Sequence, residues 1–196
     1  MFREYASLRF VPLQSTSGIA VTAVTRPPRV TLDSTATLVM TDFRLVSAAT
    51  IEPYAGLDFA NDTMRRRNVR SLLVIDALGA VVGILTATDV LGEKPVRFAL
   101  EYSVKHNEIR VSDMMTPRNV LELLKFKEVE NARVGHIVAT LRETGRQHLL
   151  VGESSDDGQK VRGIFSLSQI ARQLGIDLQP QSFAQTFADI ESALGH

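Results

Sequence analysis

An internal duplication is the feature that most constrains the fold. Residues 49–76 align without a gap with residues 126–153, at a shift of 77 positions, so that Leu72-Leu73-Val74 falls on Leu149-Leu150-Val151. After a turn that is three residues longer in the second copy, residues 83–90 align with residues 163–170. A duplication of this size predicts two like supersecondary units that pack together and bury a face neither could bury alone. A ligand could bind where the two units meet.

Each copy is predicted to run helix, strand, strand, helix. In the first copy, Leu57, Ala60 and Met64 recur at helical spacing within 54–67, and the apolar runs 71–76 and 81–85 indicate a hairpin followed by a helix near Thr86. In the second, a helical stripe spans 131–144, and strands at 147–152 and 160–165 flank a turn at Asp157-Gly158. The chain is therefore predicted to be α/β, with two helices packed on a small sheet in each unit.

The remaining segments flank or join the two copies. Residues 1–37 are rich in Ser, Thr and Pro and are expected to form a partly extended leader, followed by a first unit at 38–110 and a second at 111–175. A helix opened by Pro95 is expected between them. Within 176–196, Phe183, Phe187, Ile190 and Leu194 fall on one face of a helix, which must cover the core or contact another chain.

Composition narrows the class of protein. Lys and Arg number 22 and so do Asp and Glu, which does not favour a nucleic-acid-coating surface. Cysteine is absent, which excludes disulfides, thiolate metal ligands and a cysteine nucleophile and fits a reducing compartment. No sustained apolar stretch opens the chain, so we expect a cytoplasmic soluble protein without a membrane span. The basic run Arg65–Arg67 is interpreted as a solvated helix end in preference to a binding patch.

No catalytic constellation emerges from the sequence. His106, His136 and His196 lack ligand spacing among themselves, so no metal site is predicted. A Gly-rich phosphate loop with lysine and a recognisable Ser/His/Asp arrangement are also missing. We therefore do not expect an enzyme.

Thr86 and Asp89 form the clearest candidate for ligand chemistry. A strand that ends at Leu85 and leads into a helix places Thr86 at the N-cap and Asp89 one turn later, so both side chains converge on the mouth of the helix. A carboxylate there can accept hydrogen bonds from both vicinal hydroxyls of a ribose. The alternative is a capping box, which Thr-x-x-Asp and the equivalent Ser166-x-x-Gln169 both satisfy. Capping explains both copies, whereas ribose binding explains only the first.

These motifs resemble the cystathionine β-synthase (CBS) domain. The resemblance rests on Leu72–Asp76, Gly79, the run Val81–Val90 and the leader Asp113-Met114-Met115-Thr116-Pro117, and the tandem arrangement is similar to a CBS pair, or Bateman module, of the stand-alone bacterial type. It covers roughly residues 38–175. The resemblance implies two repeats related by a pseudo-twofold axis and a regulatory module that binds an adenosyl ligand such as AMP, ADP or ATP.

The resemblance also implies how the sites are assembled. In the family, the cleft of one motif is completed by the leader strand of the other, so Thr86 and Asp89 are expected beside Met115, Thr116 and Pro117. The other leader, taken as residues 45–49, would pair with a degenerate second site at Ser166 and Gln169, which is expected to be weak or empty. Arg70 and His148 would face the phosphates of the ligand. The alternative is that Arg70 is a surface residue and that His148 is a hydrogen-bonded residue of a strand. The expected set of ligand-binding residues is Ile84, Thr86, Asp89, Arg70, Met115, Thr116, Pro117, Arg146 and His148.

Two functions remain open at this point. One is a nucleotide sensor that changes how it meets a regulated partner protein; the other is a module that has kept its packing, lost its ligand, and serves in dimerisation and protein interaction. Intact Thr86 and Asp89 favour the sensor, and Gln169 keeps the interaction module open. A homodimer is expected for either function.

Overall fold

The computed structural model describes residues 29–155, 158–176 and 190. Within this part of the chain, two four-stranded sheets with helices on their outer sides form the predicted α/β fold. The strands are β1 (Thr41–Asp42), β2 (Thr50–Ile51), β3 (Ser71–Ile75), β4 (Val81–Thr86), β5 (Thr116–Pro117), β6 (Leu123–Lys125), β7 (His148–Ser155) and β8 (Gly158–Ser166). The helices are α1 (Leu57–Arg67), α2 (Ala87–Leu91), α3 (Lys94–Tyr102), α4 (Val111–Met114), α5 (Phe126–Glu130), α6 (Val134–Thr144) and α7 (Leu167–Gln173).

The helix–hairpin–helix order predicted for each copy is confirmed. Helices α1 and α6 begin three residues later than the sequence pattern indicated, and each ends in a left-handed residue, Asn68 or Gly145. Both hairpins contain a register shift at the same place, after Val74 in the first and after Val151 in the second. The second hairpin is the longer one, as the alignment predicts, and Asp157 of its turn lies outside the described residues.

Three apolar clusters hold the molecule together. Each copy has its own core, in which a helix stripe packs on one face of its sheet: Leu57, Ala60 and Met64 in the first and Val134, Ile137 and Leu141 in the second. The third, which we call the central cluster, consists of Leu73, Ile84, Leu150 and Ile164, two residues from each copy at equivalent positions. The central cluster is the face that the duplication predicted would be buried between the repeats.

The two repeats exchange short edge strands. Strand β5 pairs with β4, so that Thr116 lies opposite Ile84 and Pro117 opposite Gly83. Strand β1 pairs in the same register with β8, so that Thr41 lies opposite Ile164 and Asp42 opposite Gly163. The expected pairing of the 115–117 leader with the first repeat is therefore present, and the matching exchange occurs on the other side.

Glycine is required where each exchanged strand crosses the hairpin. A Cβ added at Gly83 would lie 2.6 Å from Met115 Sδ and 2.8 Å from Thr116 O. At Gly163, the same addition would come within 2.6 Å of Thr41 O. Real Cβ atoms are not found this close to backbone oxygens, so the two glycines allow the edge strands to approach.

The structure corrects two details of the sequence alignment. The first leader strand is Thr41–Asp42, not residues 45–49, and the Met40-Thr41 pair corresponds to Met115-Thr116. The gapless alignment also fails in the segments before α1 and α6. Thr50 pairs with Leu73 in the first copy, and Leu123 pairs with Leu150 at the equivalent place in the second. The segment from Leu123 to the start of α6 is four residues longer than the segment from Thr50 to the start of α1. Helix α5 occupies that insertion. Two-residue strands and a one-turn helix have too little periodicity to fix an alignment.

A partly buried ion pair fixes the first edge strand. Arg162 on β8 donates from Nε to Asp42 Oδ1 at 2.9 Å and from Nη2 to Asp42 Oδ2 at 2.6 Å. Its guanidinium also lies 4.6 Å from the centre of the Phe126 ring. The Arg162 hydrogen bonds are the main reason why the pKa of Asp42 lies below its usual value. The bidentate geometry attaches β1 firmly to the second repeat.

Parts of both flanking segments pack on the second repeat. Val30 and Ala36 are buried in its core, and Val30 N donates to Gln173 O at 3.1 Å. The described end of the expected leader, 29–37, is thus docked on the second repeat. From the expected terminal helix, Ile190 is helical and buried in the same core, whereas Phe183, Phe187 and Leu194 lie outside the described residues.

Candidate functional site: two clefts beside the central cluster

Two clefts flank the central cluster, one on each side. Cleft A has a volume of about 310 Å³ and is lined by Ile84 and Leu150 of the cluster. Cleft B has a volume of about 290 Å³ and is lined by Leu73 and Ile164. Because each cleft takes residues from both repeats, neither site would exist in an isolated repeat.

Thr86 and Asp89 meet at the mouth of α2 in cleft A. Thr86 Oγ1 accepts from Asp89 N at 3.3 Å, and Asp89 Oδ2 accepts from Thr86 N at 2.9 Å and from Thr86 Oγ1 at 2.7 Å. The capping box that the sequence left as an alternative is therefore present. The second carboxylate oxygen, Oδ1, lies 3.2 Å from Lys94 Nζ, which also donates to Met114 O.

The opposite wall of cleft A comes from the second repeat and its leader. Thr116 of the exchanged strand, Arg146 just before β7 and His148 at the start of β7 line the cleft together with Thr86, Asp89 and Ile84. Arg146 donates from Nη2 to Glu122 Oε2 at 2.8 Å, so its charge is partly neutralised within the cleft. Cleft A therefore combines an apolar floor with two carboxylates, an arginine that is already paired, and threonine hydroxyls.

Cleft B is the counterpart around Ser166 and Gln169. Thr41 Oγ1 donates to Gln169 Oε1 at 3.0 Å, and the hydroxyls of Ser166 and Ser168 lie 3.0 Å apart. The amide of Gln169 is thus hydrogen-bonded to the exchanged strand, in contrast to Asp89, which is bonded to its own helix start and to Lys94.

Three of the residues expected together with Thr86 and Asp89 lie elsewhere. Arg70 lines cleft B, not cleft A. Met115 packs beside Gly83 and the first core, and Pro117 is exposed on β5; neither lines cleft A. Arg70 moves to the other cleft because it lies just before β3, whose Leu73 faces cleft B. The position equivalent to Arg70 in the second copy is Gln147, which lines cleft A.

His148 lies between the clefts and lines both of them. Its Nδ1 atom is buried, and no described residue hydrogen-bonds to it. The pKa of His148 is lowered to about 4, chiefly by burial; the charge of Arg70 acts in the same direction, and the charge of Asp89 opposes both. The imidazole is therefore neutral near pH 7.

Sequence reasoning missed several lining residues. Glu122 and Gln147 of cleft A and Arg67 and Arg172 of cleft B were not among the expected ligand-binding residues. Gln147 had a usable signal, since it aligns with Arg70. Arg67 had a signal in the basic run Arg65–Arg67, which was interpreted as a solvated helix end in preference to a binding patch. Arg172 had none, because only the packing of the two repeats brings the end of α1 next to α7.

The described part of the chain offers neither a metal-binding cluster nor a membrane-spanning helix. Across 29–155, 158–176 and 190, no group of three or more His, Asp or Glu side chains is placed to hold a metal ion. No helix in these ranges is long and apolar enough to cross a membrane.

Comparison with known proteins finds a matching family model for part of the chain and solved structures of similar fold. A family model described as CBS domain matches residues 21–95. A conserved protein from Pyrococcus horikoshii superposes with a TM-score of 0.54 at 23% identity, over 78% of this chain and 100% of that one. CBSX2, a CBS-pair protein from Arabidopsis thaliana solved in complex with AMP, gives 0.51 at 24% identity, over 71% and 94% of the two chains.

A third solved structure extends the comparison. A conserved CBS domain protein of unknown function from Thermoplasma acidophilum gives a TM-score of 0.50 at 20% identity, over 79% of this chain and 76% of that one. Among curated proteins, none matches. The match at residues 21–95 agrees with the resemblance seen in the sequence, and the fold is that of CBS-pair structures.

Proposed function

We propose that this chain is a regulatory, non-catalytic module that binds an adenosyl ligand in cleft A and thereby modulates a partner protein, because a CBS-domain model matches residues 21–95 and the fold is that of CBS-pair structures. The observation that carries this proposal is the convergence, in one cleft, of the Asp89 carboxylate, Thr86 and the exchanged-strand Thr116 over an apolar floor. CBSX2, which has the same fold, was solved with AMP.

The chemistry of cleft A suits a nucleoside. Ile84 and Leu150 offer an apolar surface on which a planar base can lie. The Asp89 carboxylate has an acceptor oxygen, Oδ1, whose described contact is a single one with Lys94 at 3.2 Å. Ribose hydroxyls could take over that oxygen while Oδ2 keeps its bonds to Thr86. The paired state of Arg146 provides modest positive charge, which suits a monophosphate more than a polyphosphate.

Lys94 offers a route from ligand to partner. It is the first residue of α3, and its Nζ donates to both Asp89 Oδ1 and Met114 O. A ribose that takes Asp89 Oδ1 would release Lys94 and change how α3 is held at its start. Helix α3 exposes 58% of Val96, 77% of Leu100 and 59% of Tyr102, an apolar surface suited to contact with another protein.

Asp89→Asn tests the ligand proposal. The variant keeps one carbonyl oxygen able to accept from Thr86 N, so the fold should persist, but it removes the charge that strengthens hydrogen bonds to ribose. Binding of AMP or adenosine, measured by calorimetry, should weaken by about 1.5 to 3 kcal/mol. Asp62→Asn, at an exposed position on α1 outside cleft A, is the matched control. Equal affinity in parent and Asp89→Asn would remove Asp89 from the site.

The interaction module without ligand remains the second candidate. It is favoured by the capping box, which gives Thr86 and Asp89 a structural role without any ligand. A screen of melting temperature against AMP, ADP, ATP and S-adenosylmethionine separates the two functions. A ligand at one hundred times its dissociation constant stabilises by about 2.7 kcal/mol. If none of these compounds raises the melting temperature, the interaction module is the better account.

The proposal also includes a homodimer in the cytoplasm. The exposed apolar residues of α3 favour association with a second copy or a partner, and a chain without cysteine fits a reducing compartment.

A further inference from the structure

The two clefts differ at a pair of equivalent positions beside their central strands. Glu122 and Arg146 line cleft A, and Arg146 Nη2 donates to Glu122 Oε2 at 2.8 Å. The strand register places Ala49 and Val69 at the equivalent positions of the first repeat, and both of these line cleft B. The same fold is thus built with an apolar pair at this place, so the packing of a repeat does not require the ion pair.

Stability does not account for the ion pair either. The side chain of Glu122 is 77% exposed and that of Arg146 is 39% exposed. Ion pairs at this level of exposure contribute little to the free energy of unfolding, because water and salt screen the two charges. A pair that lines a cleft and that neither packing nor stability requires points to the ligand of that cleft.

Glu122 determines the net charge of cleft A. Among the described residues that line this cleft, Arg146 is the only cation, and the carboxylates of Glu122 and Asp89 line the cleft with it. The imidazole of His148 is neutral near pH 7. Lys94, which pairs with Asp89, lines an adjoining groove and not cleft A. The described lining therefore carries one positive charge against two negative charges.

A second position changes the charge of cleft A in the same direction. Gln147 lines cleft A at the place where the first repeat has Arg70, so a neutral amide replaces a guanidinium. Arg146 stands where the first repeat has Val69 and adds one cation, but Glu122 offsets that charge. Cleft A is therefore less favourable to a highly charged anion than its counterpart is.

We propose that Glu122 determines ligand specificity in cleft A by limiting the ligand to one phosphate at most. The proposal rests on the proposed function, because it concerns the adenosyl ligand of the same cleft, and it names the residue that selects the ligand class. A first phosphate can bond to the N–H groups of Arg146 that Glu122 leaves free. Each further phosphate adds negative charge to a cleft that Glu122 and Asp89 line, without gaining another cation from the described lining.

Displacement of radiolabelled adenosine from the full chain tests the proposal, because every competitor is then measured at one site. Without magnesium, AMP should displace adenosine from the parent at a concentration at least about tenfold lower than ATP requires. Glu122→Gln keeps an oxygen that can accept from Arg146 but removes the charge, so ATP should bind about tenfold more tightly and adenosine equally well. Glu130→Gln, at an exposed position outside both clefts, is the matched control and should leave ATP unchanged.

Glu122→Ala separates the charge of this residue from its contact with Arg146. Alanine is the residue that the first repeat has at this place, so the variant should fold. If the charge of Glu122 limits the ligand, the Ala and Gln variants should both bind ATP more tightly than the parent does. If Glu122 only positions Arg146, Glu122→Ala should weaken AMP and Glu122→Gln should not, and this result would overturn the proposal.

Two further results would also overturn it. One is equal displacement by AMP and ATP in the parent; the other is a gain in ATP affinity that is the same for Glu122→Gln and Glu130→Gln. Asp89→Asn identifies the site that is measured, since loss of labelled adenosine in this variant assigns the competition to cleft A. A failure at Glu122 then leaves the proposed function intact. If labelled adenosine does not bind the parent, the proposed function fails, and the role of Glu122 fails with it.

Discussion

His148 should make the stability of this protein depend on pH between about 4 and 6.5. In the folded protein, burial and the nearby Arg70 lower the pKa of this imidazole to about 4, whereas its ordinary value is 6.5. Between these two values the unfolded chain binds a proton and the folded chain does not. The free energy of unfolding must therefore fall as the pH falls through this window.

The size of the effect follows from the two pKa values. A difference of roughly 2.5 units corresponds to a loss of about 3 kcal/mol once the pH is below both pKa values, and about 2 kcal/mol of that should be lost between pH 7 and pH 5. Domains of this kind are stable by about 5 to 15 kcal/mol, so the loss is readily measured.

Urea unfolding at half-unit steps from pH 7 to pH 5 is the assay. His148→Gln keeps a polar group of similar size without a titrating proton, so its stability should change by about 2 kcal/mol less over this range. His106→Gln, at an exposed position, is the matched control and should follow the parent. Arg70→Gln should reduce the effect only in part, because burial is the larger cause. Parallel curves for the parent and His148→Gln would refute the reasoning.

Two further predictions concern the exchanged strands and the assembly. Gly163→Ala should lower the free energy of unfolding, measured by urea titration, by about 1 to 3 kcal/mol, because the new methyl group meets Thr41 O. The control is Gly135→Ala, which should be neutral or stabilising because the nearest atom to its new methyl group lies 3.5 Å away. Equal losses of stability in the two variants would contradict this account. Light scattering at micromolar concentration should give the mass of a dimer, and a monomer mass would reject it. If a chain lacking 181–196 still dimerises, the contact belongs to the repeats; because Ile190 is buried in the second core, that truncation should also lower the melting temperature.

The local structure of this protein could be predicted from its sequence because it depends on neighbours along the chain. The stripe Val134, Ile137 and Leu141 predicted α6, and the run Leu72–Val74 followed by Gly83–Leu85 predicted the first hairpin. The capping pattern of Thr86 and Asp89 likewise predicted where α2 begins. The duplication predicted that the two units share a buried face, which the central cluster provides.

The composition of the clefts was decided only by the tertiary structure. Strands β1 and β5 have two residues each, too few for a periodic signal. Strand β1 pairs with a strand more than 120 positions away in the sequence, and β5 pairs with one more than 30 positions away. Arg162 and Asp42, 120 residues apart, form an ion pair that no local pattern indicates. The same packing assigns Arg70 to cleft B and joins it there with Arg67 and Arg172. Local propensity determines which elements form, but the charge of each cleft depends on which elements the exchange of strands brings together.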